Sequence, residues 1–406
     1  MAVNLTAPEA LLPVAGVRLA TAAAGIKKAD RQDLLLVELA PETQVAGVFT
    51  RNAFCAAPVR YCQQQLRERR PIAGLLINSG NANAGTGRAG AEAAAKTAER
   101  AAVLLQRPTA AVLPFSTGVI GVPLPVPKLL DALPAAADGL APDGWLGAAQ
   151  AIMTTDTVAK GISRQVATAA GTVTVTGIAK GAGMIRPDMA TMLAFIACDA
   201  NISANGLQAM LQRVTAASFN AVTVDGDTST NDAAILMATG RVGDQPLSEQ
   251  EADFAAVEAA IREVCQYLAQ AMVRDGEGAK RFIELEVLGA RSVDEARQVA
   301  YTIAHSPLVK TACFAGDANW GRILAAVGRS GLVDLDVSRI DIHIDDVALI
   351  EQGEPHPEYT EAAGAAVFAK DEYRIRIHLG RGDQQATIWT CDLGYEYVRI
   401  NADYRT

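Results

Sequence analysis

Short apolar runs separated by turn residues are the feature that most constrains the fold of this chain. Leu34–Leu39, Val45–Phe49 and Ile72–Ile77 each have the length and the aliphatic content that are typical of strands. The run Arg88–Gln106 is rich in Ala, Glu, Lys and Leu, which predicts a helix that stops before Pro108. Strands and helices mixed in this way predict layered α/β sheets covered by helices.

The strand pattern returns later in the chain. Val166–Thr168 and Val173–Thr176 flank a turn that contains a glycine, which predicts a hairpin. Alternation of polar and apolar residues predicts further strands at Ile340–Ile344 and Arg374–His378, and the residue pattern of Glu396–Ile400 also predicts a strand. We expect the last of these strands to hold the chain terminus in place.

Composition narrows the classes of function. Half of the 406 residues are hydrophobic and only 20% are charged, so the chain can bury a large core and is not disordered as a whole. The formal net charge is −9. Because nucleic acids and anionic membranes are bound through basic faces, we expect neither as a partner.

Three further patterns concern the cellular compartment. Met1–Ala10 contains an acidic residue and no Lys or Arg, so a secretory leader is not expected. The longest uncharged stretch, Pro108–Pro127, contains five prolines, which an ordinary membrane-spanning helix would not tolerate. The six cysteines form no CxxC pair and are expected to be reduced core residues. These patterns predict a soluble, cytoplasmic protein.

Several common kinds of catalytic site are poorly supported. All four histidines lie in the last quarter of the chain, and no GxSxG, HExxH or Walker A motif is present. Asp225–Asp232 resembles the opening of a calcium-binding EF-hand loop, but Leu236 stands where the bidentate Glu belongs. We therefore expect no metal and no resident cofactor.

The stretch Lys180–Phe195 is the most informative. It begins as a glycine-rich turn, passes Pro187 and enters a strand at about Thr191. A threonine at a strand entrance is usually explained by its β-propensity. Here, however, its hydroxyl could reach the Ala190 carbonyl, and cleavage would free an α-amino group with a pKa of roughly 7.7–8.0. Such an amine can act as a general base where no histidine is available.

This stretch resembles the ornithine acetyltransferase family, the glutamate N-acetyltransferases of arginine biosynthesis, in which a threonine after Met-Ala is the point of self-cleavage and then the acyl-accepting nucleophile. The resemblance extends over essentially the whole chain. It includes, in order, Ala24–Lys27, Val48–Asn52, Asn78–Ala84, Ser116–Gly121, Met153–Thr157, Asp275–Gly278, Gly316–Arg322 and Asn401–Thr406.

The resemblance implies a layered αββα architecture of the self-processing ornithine acetyltransferase and aminopeptidase type, with a smaller C-terminal α+β domain. Residues 1–190 would form an α-chain. Residues 191–285 would complete the catalytic core, and residues 286–406 would form the C-terminal region of the β-chain. The family also implies an α2β2 assembly of the two chains.

The resemblance also assigns roles to individual residues. Thr191 would be the nucleophile, with the cleavage point between Ala190 and Thr191, and Thr117 and Gly118 would form the oxyanion hole. The substrate-binding residues would be Thr157, Lys180, Thr191, Glu277, Asn401 and Thr406. Four polar residues in glycine-rich turns are instead expected to cap the local backbone: Asn81, Asn83, Asp317 and Asn319.

The implied reaction is a ping-pong transfer of acetyl from N2-acetyl-L-ornithine to L-glutamate, with acetyl-CoA as an additional donor. Three alternatives remain open at this point. The chain could be a monofunctional ornithine acetyltransferase that does not use acetyl-CoA. It could also be a related self-processing amidase or aminopeptidase in which water replaces glutamate, or an amino-acid-binding protein that retains only the fold.

Overall fold

The computed structural model describes residues 2–186 and 192–403. The strands are β1 Val17–Ala22, β2 Leu34–Leu39, β3 Gln44–Phe49, β4 Gly74–Asn81, β5 Val112–Val119, β6 Lys160–Thr168, β7 Gly171–Lys180, β8 Leu193–Ala200, β9 Val222–Thr223, β10 Ala233–Val242, β11 Phe282–Ala290, β12 Asp341–Ile344, β13 Val347–Glu351, β14 Glu354–Pro355, β15 Glu372–His378 and β16 Gln384–Cys391. The helices are α1 Ala57–Arg67, α2 Gly87–Leu104, α3 Val126–Asp138, α4 Trp145–Ala151, α5 Ala204–Ala216, α6 Ala252–Arg274, α7 Val293–Ala304, α8 Pro307–Ala315, α9 Trp320–Gly328, α10 Glu361–Phe368 and α11 Tyr395–Ala402.

The chain divides into two compact units. Residues 7–220 and 227–272 form the N-terminal unit. Residues 1–6, 221–226 and 273–406 form the C-terminal unit. No sheet is shared between the described residues of the two units.

Two sheets stack face to face in the N-terminal unit. The first has the strand order β1-β2-β4-β5 and the second the order β3-β10-β8-β7-β6. Leu35 and Ile77 of the first sheet share one buried core with Ile235 of the second. Phe115 of β5 and Phe195 of β8 meet edge to face, with ring centroids 5.1 Å apart. This inner core joins the two sheets.

Helices cover the outer faces of both sheets. Leu36 and Leu76 point away from the inner core and pack with Leu133 of α3, in a cluster that also includes α2. On the second sheet, α6 lies so close that a Cβ on Gly177 would be 2.6 Å from a Val264 methyl carbon. The N-terminal unit therefore has helix, sheet, sheet and helix layers, and the predicted αββα class is confirmed.

The C-terminal unit is built on one mixed sheet with the strand order β14-β13-β12-β15-β11-β16-β9. Helix α7 packs on β11 and β16. In β15 the alternation predicted from sequence is present, since Ile375 and Ile377 are buried while His378 is exposed. This unit is an α+β arrangement, as the resemblance implied.

The prediction of a strand at Glu396–Ile400 was wrong, because these residues belong to helix α11. A pattern of five residues is too short to distinguish a strand from a short helix. Gly394 precedes the helix in an extended conformation, and a Cβ there would lie 2.3 Å from the Phe314 ring. Glycine thus allows the chain to pass Phe314 closely and begin a helix where a larger residue would collide.

Two other expectations from the sequence concern membrane-spanning helices and the state of the cysteines. Within the described ranges, no helix is both long enough and apolar enough to cross a bilayer. All six cysteines have free thiols, and five of them are buried. Burial raises the pKa of the Cys198 thiol to about 12, which fits a small core residue better than a nucleophile.

Candidate active site

The predicted site residues fall in three groups. Thr117, Gly118, Thr157 and Lys180 lie in the N-terminal unit, and Glu277 and Asn401 lie in the C-terminal unit. Ala190, Thr191 and Thr406 lie outside the described residues.

In the N-terminal unit, Thr117 and Lys180 meet near the ends of β5 and β7. The Lys180 Nζ lies 3.3 Å from the Thr117 Oγ1, and both residues are buried. An ammonium group can only donate hydrogen bonds, so the threonine oxygen must be the acceptor in this contact. The threonine hydrogen is then directed elsewhere and can be donated to a third oxygen. This geometry suits a hydroxyl that stabilises developing negative charge.

Gly118 follows Thr117 in a backbone conformation that other residues rarely adopt. Its φ is +133°, and a Cβ at this position would lie 2.3 Å from the carbonyl carbon of Gly80 on β4. Only glycine permits this close approach of the two parallel strands. The backbone beside the Thr117 hydroxyl is thus specified by the fold itself.

Asp156 organises the segments around Lys180, and sequence reasoning missed its role. One carboxylate oxygen accepts hydrogen bonds from the Gly181 N–H and the Lys160 Nζ, each at 2.7 Å. The other accepts from the Thr154 N–H at 2.9 Å. One buried carboxylate therefore joins the loop before β6, the start of β6 and the turn after β7.

The charge state of Asp156 follows from these partners. Burial alone would raise the pKa of its carboxyl, but the charges of Lys160 and Lys180, together with the hydrogen bonds, hold that pKa well below its usual range. The carboxylate is therefore ionised at neutral pH. Asp156 lies in one of the sequence blocks that carry the resemblance, yet a loop acid four residues before a lysine gives no sign that both are buried. Its neighbour Thr157 is exposed.

In the C-terminal unit, the two described site residues are in direct contact. The Asn401 Nδ2 donates to the Glu277 Oε2 at 2.7 Å and also to the Tyr397 carbonyl at 3.0 Å. Gly278 brings this loop against α11, because its φ is +74° and a Cβ there would be 2.7 Å from the Tyr397 nitrogen. The helix, rather than the predicted strand, brings Asn401 to Glu277.

The four polar residues expected to cap the backbone all make short-range hydrogen bonds, but the Asn81 amide also reaches a segment 41 and 42 residues away. Asn81 donates to the carbonyls of residues 122 and 123, and Asn83 donates to the carbonyl of Gly90. Asn319 accepts from the Arg322 N–H at the start of α9, and its own amide donates to Asp317. Their hydrogen bonds fix turns and a helix start.

Residues 18–406 match the model of the ArgJ family. The chain belongs to the ArgJ family. This confirms the resemblance to the ornithine acetyltransferases, and every sequence block that carried the resemblance falls within the matched range.

Individual relatives agree with the ArgJ family match. The chain is 52% identical over 407 residues to the arginine biosynthesis bifunctional protein ArgJ of Pseudomonas fluorescens, covering all of both chains. It is 54% identical over 397 residues to the protein of the same name from Methylococcus capsulatus, covering 98% of this chain and 97% of the relative. Among solved structures, the ornithine acetyltransferase of Mycobacterium tuberculosis complexed with ornithine is 40% identical, with a TM-score of 0.38; the match covers 43% of this chain and 93% of that one.

Proposed function

We propose that this chain is a self-cleaving acetyltransferase of arginine biosynthesis, which transfers acetyl from N2-acetyl-L-ornithine to L-glutamate through an acetyl-Thr191 intermediate and also acetylates glutamate from acetyl-CoA. Two observations support this function. ArgJ relatives that match over the full length are named bifunctional arginine biosynthesis proteins. The observation that carries the site is the buried contact of Lys180 with Thr117, because the threonine oxygen accepts in this contact and its hydrogen remains available for a substrate oxygen.

Self-cleavage requires only groups of the chain and one water. The Thr191 hydroxyl oxygen attacks the Ala190 carbonyl carbon, and its proton passes to the Thr191 amide nitrogen as the peptide bond breaks. The ester that results is hydrolysed by water, which leaves a carboxylate on Ala190 and restores the Thr191 hydroxyl. The product is a free α-amino group on the same residue as the nucleophile, and such an amine can act as a base near neutral pH.

Acetyl transfer then takes place in two half-reactions. The Thr191 oxygen attacks the acetyl carbon of N2-acetylornithine, the α-amine takes the hydroxyl proton, and ornithine leaves with that proton on its nitrogen. The amine of glutamate next attacks the acetyl ester. The proton it loses returns to the Thr191 oxygen as N-acetylglutamate leaves. With acetyl-CoA as donor, the thiol of CoA is the first leaving group and the second half-reaction is the same.

The residues of the N-terminal unit have distinct roles in this scheme. The Thr117 hydroxyl and the Gly118 N–H stabilise the oxyanion of each tetrahedral intermediate. Lys180 binds the α-carboxylate of the acylated amino acid and keeps the Thr117 hydrogen turned outward. Asp156 holds the turn at Gly181 and so keeps Lys180 in place.

The remaining site residues are assigned through the family resemblance. Thr157, Glu277, Asn401 and Thr406 are proposed to contact substrate. The contact between Glu277 and Asn401 supports a shared role for these two. No resident cofactor enters the scheme. An α2β2 assembly of the cleaved chains and a cytoplasmic location remain part of the proposal.

The proposed function is tested by processing and by donor and acceptor dependence. N-terminal sequencing of the purified protein should find a new terminus at Thr191, and Thr191→Ala should remain one chain. Thr172→Ala, which changes an exposed threonine on β7, is the matched control and should be cleaved normally. Cleavage that persists in Thr191→Ala would contradict the mechanism.

The second measurement follows the loss of N2-acetylornithine with and without glutamate. The transferase requires glutamate for sustained turnover, whereas an amidase consumes acetylornithine in water alone. Formation of N-acetylglutamate from acetyl-CoA and glutamate separates a bifunctional enzyme from a monofunctional one.

A further inference from the structure

The side chain of Asn231 bridges the ends of two strands in the N-terminal unit. Its Nδ2 donates to the Ala82 carbonyl at 2.6 Å and to the Ser116 carbonyl at 2.8 Å. Its Oδ1 accepts from the Thr230 hydroxyl at 2.6 Å, and the residue is buried. Every hydrogen-bonding group of this amide except one carbonyl lone pair is therefore used. Asn231 belongs to the acidic stretch whose resemblance to a calcium loop led to no function.

The Ser116 carbonyl is directly connected to the proposed oxyanion hole. This carbonyl shares a rigid peptide plane with the N–H of Thr117, so a bond that fixes the first also orients the second. Beyond it, Gly80 and Gly118 pair with each other one residue before the ends of β4 and β5, with φ values of +103° and +133°. Glycines have no side chain to restrict their backbone, so the geometry at this point depends on contacts made by other residues.

The chain immediately after Asn231 reaches β8, which begins two residues after the proposed nucleophile in sequence. The Ala233 N–H donates to the Met192 carbonyl at 2.8 Å, and Ala233 pairs with Leu193 where β10 and β8 begin. Met192 directly follows Thr191 in sequence. Three consecutive residues, 231–233, therefore connect the oxyanion strand β5 with the start of β8.

Segment 231–233 is itself held firmly. The Asn231 N–H donates to the Ser229 hydroxyl at 3.1 Å, and the Thr230 carbonyl accepts from the Ala56 N–H at 2.8 Å. The Asp232 carbonyl accepts from the Thr50 N–H at 3.0 Å. Because this segment is hydrogen-bonded on both sides, it can hold β5 and β8 at a fixed separation.

We propose that Asn231 is a positioning residue for acyl transfer, which sets the separation between the oxyanion donors of Thr117 and Gly118 and the start of β8. This inference rests on the proposed function. Asn231 contacts backbone carbonyls and acts through them, without touching the substrate. It therefore serves both reactions that need the oxyanion hole, self-cleavage and acetyl transfer.

The chemistry of the bridge specifies an amide. Two carbonyl oxygens accept from one nitrogen, which requires a group with two hydrogens on a short, planar side chain. A serine hydroxyl has one hydrogen and can serve only one carbonyl. A carboxylate of the same shape would face both carbonyl oxygens with negative charge and no hydrogen.

The test compares Asn231→Ala with Asn201→Ala in the full-length protein. Asn201 is the matched control, because its amide also donates to a backbone carbonyl, that of Gly243, but at the opposite end of β8. We expect Asn231→Ala to lower kcat for acetyl transfer by about 10²-fold, the usual effect of displacing reacting groups by about 1 Å. The KM for acetylornithine should change less than about twofold and self-cleavage should slow, while Asn201→Ala should leave kcat unchanged.

A double variant distinguishes positioning from general destabilisation. If Asn231 acts through the oxyanion hole, the double variant Thr117→Ala/Asn231→Ala should have nearly the same kcat as Thr117→Ala alone. If the two residues acted independently, the fold-losses in kcat of the single variants would multiply in the double variant, and that result would overturn the inference. Asn231→Ser, which keeps one donor and leaves a smaller void, repeats the test if the alanine variant does not fold. Absence of acetyl transfer by the wild type would overturn the proposed function itself, whereas normal wild-type transfer with multiplying effects overturns only the role of Asn231.

Discussion

The Asp156 carboxylate and the Lys160 ammonium group form an ion pair at 2.7 Å in which neither side chain is exposed to solvent. Removing one partner of such a pair leaves the other charge buried without compensation. The pair also lies directly beside the turn that holds Lys180, since the same carboxylate oxygen accepts from the Gly181 N–H. Stability and site geometry therefore depend on one group.

We expect Asp156→Asn to lower the free energy of unfolding by about 3–5 kcal/mol at pH 7, as is usual for breaking a buried pair. The carboxyl has a lowered pKa in the folded protein, so its contribution is complete above its unfolded pKa of roughly 4 and is lost as pH falls through the lower folded value. Urea unfolding at several pH values should show the gap between wild type and variant narrowing below about pH 4.

The matched control for Asp156→Asn is Glu92→Gln, which breaks the exposed ion pair with Arg88 on α2. Solvent screens that pair, so no measurable change in stability is expected. If both variants lost the same free energy of unfolding, the buried pair would contribute no more to stability than an exposed pair.

Thr117→Ala removes the hydroxyl that the Lys180 contact orients. Turnover should fall by about 10²–10³-fold, the range seen for loss of one oxyanion donor, while KM changes much less. Thr117→Ser retains an oxygen at the same place and should restore most of the activity. Steady-state kinetics of the two variants test whether the Thr117 hydroxyl takes part in catalysis. Near-normal turnover of the alanine variant would show that Thr117 is only a structural turn residue.

Gly118→Ala should abolish acetyl transfer, because its φ of +133° is unfavourable for alanine and the added carbon would lie 2.3 Å from the Gly80 carbonyl carbon. Gly121→Ala is the control, since Gly121 also has a positive φ, +79°, but has open space where a Cβ would be. Both variants carry backbone strain, and only the first forces β4 and β5 apart. If the two variants had similar activities, backbone strain alone would explain the loss of acetyl transfer, without the close contact between β4 and β5. The comparison requires acetyl-transfer rates and circular dichroism of both proteins.

Removing residues 402–406 should raise the KM for acetylornithine or abolish turnover while leaving self-cleavage intact. The deletion takes away Thr406 and the last residue of α11, the helix that carries Asn401 to Glu277. Asn401→Ala tests the same contact without shortening the chain and should raise KM in the same direction. A truncated enzyme with normal transfer kinetics would exclude the terminus from the substrate site.

The sequence was most informative where local patterns determine local structure. Leu34–Leu39 is a strand with the predicted bounds, and five of its six residues are buried aliphatic side chains because the second sheet covers one face and helices cover the other. The hairpin around Gly171 also follows its turn residues. Glu396–Ile400 failed because its conformation depends on Gly394 passing a distant aromatic ring, which no local pattern records.

The sequence predicted which residues belong to the site, but it did not predict the contacts between them. Thr117 and Lys180 were identified through the family resemblance, but their contact joins residues 63 apart in sequence and exists only because β5 and β7 end near each other. Asp156 and Asn231 were missed for the same reason. Asp156 binds the Gly181 N–H, 25 residues further along the chain, and Asn231 binds carbonyls more than 100 residues before it. Neither the spacing nor the type of such residues distinguishes them from ordinary loop residues.

The strand order of the second sheet, β3-β10-β8-β7-β6, has a consequence for the enzyme after processing. A cut between residues 190 and 191 would place β3, β7 and β6 on one polypeptide and β8 and β10 on the other. Two neighbouring strands of one polypeptide would then lie between strands of the other within a single sheet, joined along β10–β3 and β7–β8. The precursor unfolds and refolds as one molecule, whereas the processed enzyme can regain its sheet only when two separate chains meet. Recovery from denaturant should therefore become dependent on protein concentration at the moment the chain is cut.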